Sequence, residues 1–212
     1  MNPVRRALSL GLASLLAACS LMAPQVPDRY LVLNVPGLGE PGGPPAANAA
    51  ATAASPHHAA TLLVAPTTGA AFYDTQEIVF SRSEGTRAYY RYSHWTEAPS
   101  QRMSTLLLER LAQAGTFRSV AEGTSGVRGR WLLRTHIVEI LHESGTPPGS
   151  AKVVVTAELS EPGQRAMLAR RTFMGTAPAA THDADGAVRA MGVALGGVLD
   201  QIAAWADTAA VD

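Results

Sequence analysis

One sulfur in this chain is placed for chemistry. Cys19 is the only cysteine, and it ends the run Leu16-Ala17-Ala18-Cys19. Small residues closing a short apolar segment just before a cysteine make a lipobox, at which the chain is cut and the new terminus acylated. Cleavage before Cys19 frees its amine. The sulfur carries a diacylglycerol, and the amine takes a fatty chain of the palmitate type. An acylated Cys19 leaves no thiol for a disulfide, a thiolate metal site or a cysteine nucleophile.

The histidines are the next candidates. His57 and His58 lie in a Pro/Gly/Ala-rich stretch, where two ligands on a floppy chain make a poor metal site. His136 and His142 share one strand face by parity. Six residues at about 3.3 Å each set them roughly 20 Å apart, too far to hold one ion. His142-Glu143 and His182-Asp183 each put an imidazole beside an acid at the end of an element. Asp183 and Asp185 are explained more simply as helix N-terminal residues that satisfy free amides. The chain contains no Gly-x-Ser-x-Gly, no Gly-x-x-x-x-Gly-Lys and no His-Glu-x-x-His. Gly123-Thr124-Ser125-Gly126 lacks the lysine and the strand-to-helix setting of a phosphate loop. The expectation is a protein that is not an enzyme and holds no metal or cofactor.

Arg5 and Arg6 precede an apolar run from Ala7 to Leu16. A run of about 10 residues is too short to span a bilayer, which takes about 20, so it reads as a signal peptide. Residues 1–18 form that signal and 19–29 an acylated tether. Several acyl chains hold a protein firmly where one is marginal. Ser20 stands where an Asp would favour retention at the inner membrane, so the expected place is the periplasmic side of the outer membrane. Lys plus Arg equal Asp plus Glu at 17 each. That balance gives no reason to expect a nucleic-acid partner or an electrostatic membrane patch.

The elements that must position these residues follow from pattern. Residues 30–206 read as one domain and 207–212 as a tail. Tyr30–Val35 is a first strand. Residues 36–60 are read as a disordered Pro/Gly/Ala-rich insertion without apolar periodicity. Thr61–Pro66 is a second strand. Glu77–Arg82 and Arg87–Tyr92 form a hairpin about the turn Ser83–Thr86. A helix begins with Ser100 as its N-cap, carries Met103, Leu106, Leu107, Leu111 and Ala114 on one face, and ends at Gly115. Phe117–Val120 is a short strand. Three long strands, Arg130–His142, Lys152–Ser160 and Met167–Gly175, form an antiparallel meander. In the middle one Val153, Val155, Ala157 and Leu159 face one way. A last amphipathic helix runs from about Asp183 to Ala206. Its Gly192, Gly196 and Gly197 each cost about 1 kcal/mol relative to Ala, which points to close approach by a neighbour. The fold class is α+β: a single twisted, mostly antiparallel sheet with two amphipathic helices packed on one face.

Tyr89, Tyr90 and Tyr92 straddle both faces of their strand, so at least one must face outward. With Arg91 they have the composition of a protein interface. Trp95 reads as a core anchor where the hairpin meets the helix, or as a partner hot spot. Glu97 either helps cap the helix or pairs with Arg87, Arg91 or Arg102.

The blocks Tyr73-Asp74-Thr75, Ile78-Val79-Phe80-Ser81-Arg82, Tyr90-Arg91-Tyr92, Trp95-Thr96-Glu97-Ala98-Pro99 and Phe117-Arg118-Ser119-Val120 resemble the ABC-type transport auxiliary lipoprotein family over about Tyr30 to Trp205. The Trp-x-Glu-x-Pro step is the most specific part. The chain departs from the family pattern at His94, where an Arg is common. It departs again after Val64-Ala65-Pro66, where Leu-x-Arg-Pro-Gln is usual, and in its longer insertion. The resemblance implies a noncatalytic lipoprotein partner of an MCE-type lipid transport system. An MCE-domain protein would be its partner, self-association stays open, and Tyr90, Arg91, Tyr92, Trp95 and Glu97 would form an interface or a structural anchor. A module that itself carries lipid between sheet and helices is the alternative.

Overall fold

The computed structural model describes residues 26–38 and 57–210. Cys19, the signal peptide and residues 39–56 lie outside the described residues. The strands are β1 (Arg29–Leu31), β2 (His58–Val64), β3 (Thr68–Gly69), β4 (Glu77–Ser81), β5 (Ala88–Trp95), β6 (Phe117–Glu122), β7 (Trp131–Glu143), β8 (Ser150–Glu161) and β9 (Ala166–Pro178). The helices are α1 (Pro99–Ala114) and α2 (Ala184–Ala209).

All nine strands belong to one sheet built on β7. One edge of β7 pairs along its length with β8, and β8 with β9, in the expected antiparallel meander. The other edge is shared in series. β2 pairs at Trp131–Leu133, β3 at His136–Ile137 and β4 at His142–Glu143, all parallel to β7. β6 then adds in parallel to β2, and β1 in parallel to β5. The sheet is therefore mixed rather than purely antiparallel. Parallel partners are joined through long crossovers, so local turn signals do not announce them.

Both helices lie on one face and touch each other, with Arg110 Nε 3.1 Å from Asp200 Oδ1. The core is one cluster between helices and sheet. Val153, Val155, Ala157 and Leu159 of β8 are fully buried in it, against Met191, Leu195, Val198 and Leu199 of α2. The α2 glycines mark the expected close approaches at two positions of three. A Cβ on Gly192 would collide with the Asn34 carbonyl oxygen, and one on Gly196 would meet Val35 Cγ1 at 3.0 Å. Gly197 faces open space. Asp183 caps α2 by accepting from the Gly186 amide at 2.8 Å, as expected of it. α2 is long and apolar enough to cross a membrane by length and composition, but most of that stretch is buried in the core.

Several expectations need correction. The cap of α1 is Ala98, with Pro99 opening the helix and no side-chain cap bond. Ser100 lies inside the first turn, and its carbonyl accepts from Ser104 Oγ. Ala114 faces solvent rather than the core. The insertion is narrower than 36–60. Leu38 is buried at one end, and β2 begins at His58 at the other. The tail does not begin at 207, because α2 continues to Ala209 and Asp207 holds both His57 and His58. Last, His136 and His142 do not share a face. Ile137 pairs with Val155 but Ile140 with Val153, so β7 carries an extra residue between them. That bulge inverts parity: His136 points away from the helices to Thr68 Oγ1 at 2.8 Å, and His142 points into the core.

Candidate functional site

The β4–β5 hairpin and its flanks hold the side chains singled out in the sequence, and the fold divides them between two faces. Trp95 ends β5. Its amide donates to the Gln76 carbonyl at 2.7 Å, it stands in register with Leu31, and its indole is buried. Tyr90 also turns inward, donating its hydroxyl to His142 Nδ1 at 2.7 Å. Burial pushes the Tyr90 phenol up to about 12, so at ordinary pH it keeps the proton it donates. Arg91 and Tyr92 are exposed, with the guanidinium over the Tyr92 ring at 5.2 Å. Glu97 is half-buried just ahead of α1. Two of its expected partners are engaged elsewhere. Arg87 binds Glu139 and Tyr73, and Arg102 binds the Leu33 carbonyl and Asn34.

The outer face of this hairpin is aromatic. Glu77 stands opposite His94 and Val79 opposite Tyr89, so His94 and Tyr89 share a face. Phe72 stacks on Tyr89 with ring centroids 4.7 Å apart, and Tyr30 lies 5.6 Å from His94. Phe72 and Tyr30 were missed in the sequence reading. Phe72 sits in a loop without periodicity, and Tyr30 was counted as an ordinary strand residue.

Behind the hairpin is a knot of polar groups that sequence spacing did not join. His142 is fully buried; Nε2 donates to the Pro148 carbonyl at 2.9 Å, so Nδ1 must be the acceptor from Tyr90. His182 donates to the same carbonyl at 3.2 Å, with its ring 5.9 Å from that of His142. Burial holds the His142 pKa below its ordinary value, and the neighbouring His182 adds to that. Both ring nitrogens are occupied, so the imidazole is spent on joining β5, β7 and the β7–β8 connection.

Beside the knot, between the hairpin turn and the β7–β8 connection, lies an open hollow of about 780 Å³ lined by Arg82, Glu84, Arg87, Glu143, Pro148 and Lys152 among others. Both signs of charge face it. Two of its lining cations are held by Glu139, which takes Arg87 at 2.9 Å and Lys152 at 2.8 Å. Burial works to raise the Glu139 carboxyl, but the hydrogen bonds from Lys152 and Arg87 outweigh it and hold the pKa below the usual range. Among the described residues no group of three metal-ligating side chains converges.

Comparison with known proteins fits this arrangement. The model of the ABC-type transport auxiliary lipoprotein component family matches residues 43–203. No curated protein sequence matches the chain. Among solved structures, the chain is similar to protein XCC0632 from Xanthomonas campestris, with 20% identity, a TM-score of 0.67 and coverage of 74% of this chain and 88% of that one. A second similar structure, of an uncharacterized protein, gives 13% identity, a TM-score of 0.58 and coverage of 73% and 96%. At these identities the likeness is one of fold. The family match spans most of the chain, from the insertion through nearly all of α2, and on that ground the chain belongs to the ABC-type transport auxiliary lipoprotein component family.

Proposed function

We propose that this protein is a noncatalytic docking subunit, acylated on Cys19 and held on the periplasmic face of the outer membrane. It serves an ABC transport system of the MCE type that moves lipid between the two membranes. The observation that carries this reading is the family match over residues 43–203. The Trp95-x-Glu97-x-Pro99 step and the lipobox add the MCE assignment and the anchor. The site chemistry agrees. The buried imidazole and phenol are used as structural bonds, and the exposed hairpin face offers Tyr89 stacked on Phe72, aromatic surface of the kind found at protein interfaces.

The alternative, a module that carries lipid between sheet and helices, has less support. That seam is closed by the Gly192 contact with Asn34 and by Gly175, where a Cβ would collide with the Ala194 carbonyl. Neither contact leaves room for an acyl chain. The test is capture of the acylated protein from membranes under mild crosslinking. Recovery of an MCE-domain protein is expected, and a preparation that repeatedly yields none would overturn the docking role.

A further inference from the structure

We infer that the outer face of the β1–β5 edge rests on the same bilayer that carries the acyl anchor, with Tyr30, Val32 and Tyr92 among zwitterionic headgroups and Arg91 on their phosphates. This rests on the acylation of Cys19 proposed above. Tyr30 is 62% exposed, Val32 41% and Tyr92 38%. β1 and β5 run in parallel register with Tyr30 beside His94. The β4–β5 register shifts between His94 and Tyr89, and within that irregular stretch the consecutive Arg91 and Tyr92 are both exposed, so both turn outward on the edge that carries Tyr30 and His94. The Arg91 guanidinium covers the Tyr92 ring, and among the described residues no carboxylate lies within ion-pair distance of it. A planar guanidinium on an aromatic ring is suited to phosphate, and tyrosine rings partition to the headgroup layer.

The tether selects the bilayer as occupant. Cys19 and Tyr30 are eleven residues apart in the chain. That length spans about 40 Å at full extension and about 20 Å as a flexible coil. β1 is the first described strand after the anchor, so its edge lies within reach of the bilayer. Tethering raises the local concentration of bilayer around it, so a weak patch suffices. The acyl chains on Cys19 supply the attachment, and the patch supplies its orientation. The rim also carries Asp28 and Glu77, 3.7 and 3.1 Å from His94. These acids disfavour a strongly anionic surface and complement the ammonium of a zwitterionic headgroup.

The test uses the full acylated chain in its native membrane, with the photoreactive residue p-benzoylphenylalanine in place of Tyr30, Tyr92 or Met174. Met174 is 58% exposed on β9, away from this edge. Lipid adducts at positions 30 and 92 are expected at roughly tenfold the yield at 174, as tethered contact requires. Equal yields at all three positions, no lipid adduct, or adducts to protein instead would overturn the inference. Intact mass of the same samples reads the acyl groups. An acylated chain without lipid adducts sinks only this inference, and an unacylated chain sinks it together with the anchor. A second measurement leaves the patch unaltered. Acylated protein carrying 3-fluorotyrosine is placed in phosphatidylcholine vesicles that contain headgroup-spin-labelled lipid. The Tyr30 and Tyr92 fluorine signals should broaden while those of the more buried Tyr73 and Tyr90 stay sharp. Uniform behaviour would overturn the proposal.

Discussion

At the scale of single residues, the contact between Tyr90 and His142 decides how this region responds to pH. The folded chain resists protonation of His142, whereas the unfolded chain takes up that proton near 6.5. The unfolded state then binds more protons, so stability is full above that value and falls as pH drops through it. Denaturation midpoints between pH 7.5 and 5.5 should decline, and the decline should be shallower in His142→Gln. Tyr90 acts at the other end. Its folded pKa of about 12 lies above the ordinary 10, so its contribution is complete below pH 10 and is lost as pH rises toward 12. Tyr90→Phe removes the donor to Nδ1 and leaves that buried nitrogen unsatisfied. The expected cost is about 1–3 kcal/mol, read from urea unfolding. Trp95 is buried where β5, β1 and the entry to α1 meet. Trp95→Ala should cost about 3–5 kcal/mol through the cavity it leaves. A variant that unfolds at the wild-type urea concentration would show that the indole is not an anchor.

At the scale of elements, α2 offers a matched pair of substitutions. Gly→Ala normally stabilises a helix interior by about 1 kcal/mol. Gly197 faces open space, so Gly197→Ala should raise the melting temperature. Gly192 packs its bare Cα against the Asn34 carbonyl, and a methyl there must push the backbone away. Gly192→Ala should lower the melting temperature despite the same gain in propensity. If the two variants shift it in the same direction, the close approach of residues 34–35 to α2 is refuted. The amphipathic face of α2 was legible because its apolar residues recur at helical steps from Ala187 to Trp205. The N-terminus of α1 was misread because a serine near Pro99 looks like a cap, while the chain satisfies that turn without a side chain.

At the scale of the whole molecule, the chain ends are tied together. Asp207 near the end of α2 receives His57 and His58, the residues at which the chain re-enters the sheet after residues 39–56. Arg29 at the start of β1 pairs with Asp185 at the start of α2, 2.7 Å away. Deleting residues 207–212 removes the first clasp. It should lower stability by about 1–3 kcal/mol, because His58 is buried and loses its charged partner. Thermal melting of the truncated chain checks this, and an unchanged midpoint would restore the tail to the role that its position in sequence suggested. Cys19→Ser should abolish acylation, read by intact mass, without changing that midpoint, since Cys19 lies ahead of the first strand.

The sequence by itself determined whatever depends on neighbours along the chain. The meander of β7–β9, the hairpin and the two apolar helix faces all follow from short spacings, and so does the family resemblance carried by contiguous blocks. Tertiary structure alone decided what depends on residues far apart in sequence. The parallel pairing of β7 with β2, β3 and β4 joins segments separated by whole elements. The β7 bulge turns His142 inward and lets it meet Tyr90 and Pro148. The aromatic row of Phe72, Tyr89, Tyr92 and Tyr30 comes from three separate segments. Periodicity reports which residues an element hides, and it carries no information about which other element does the hiding.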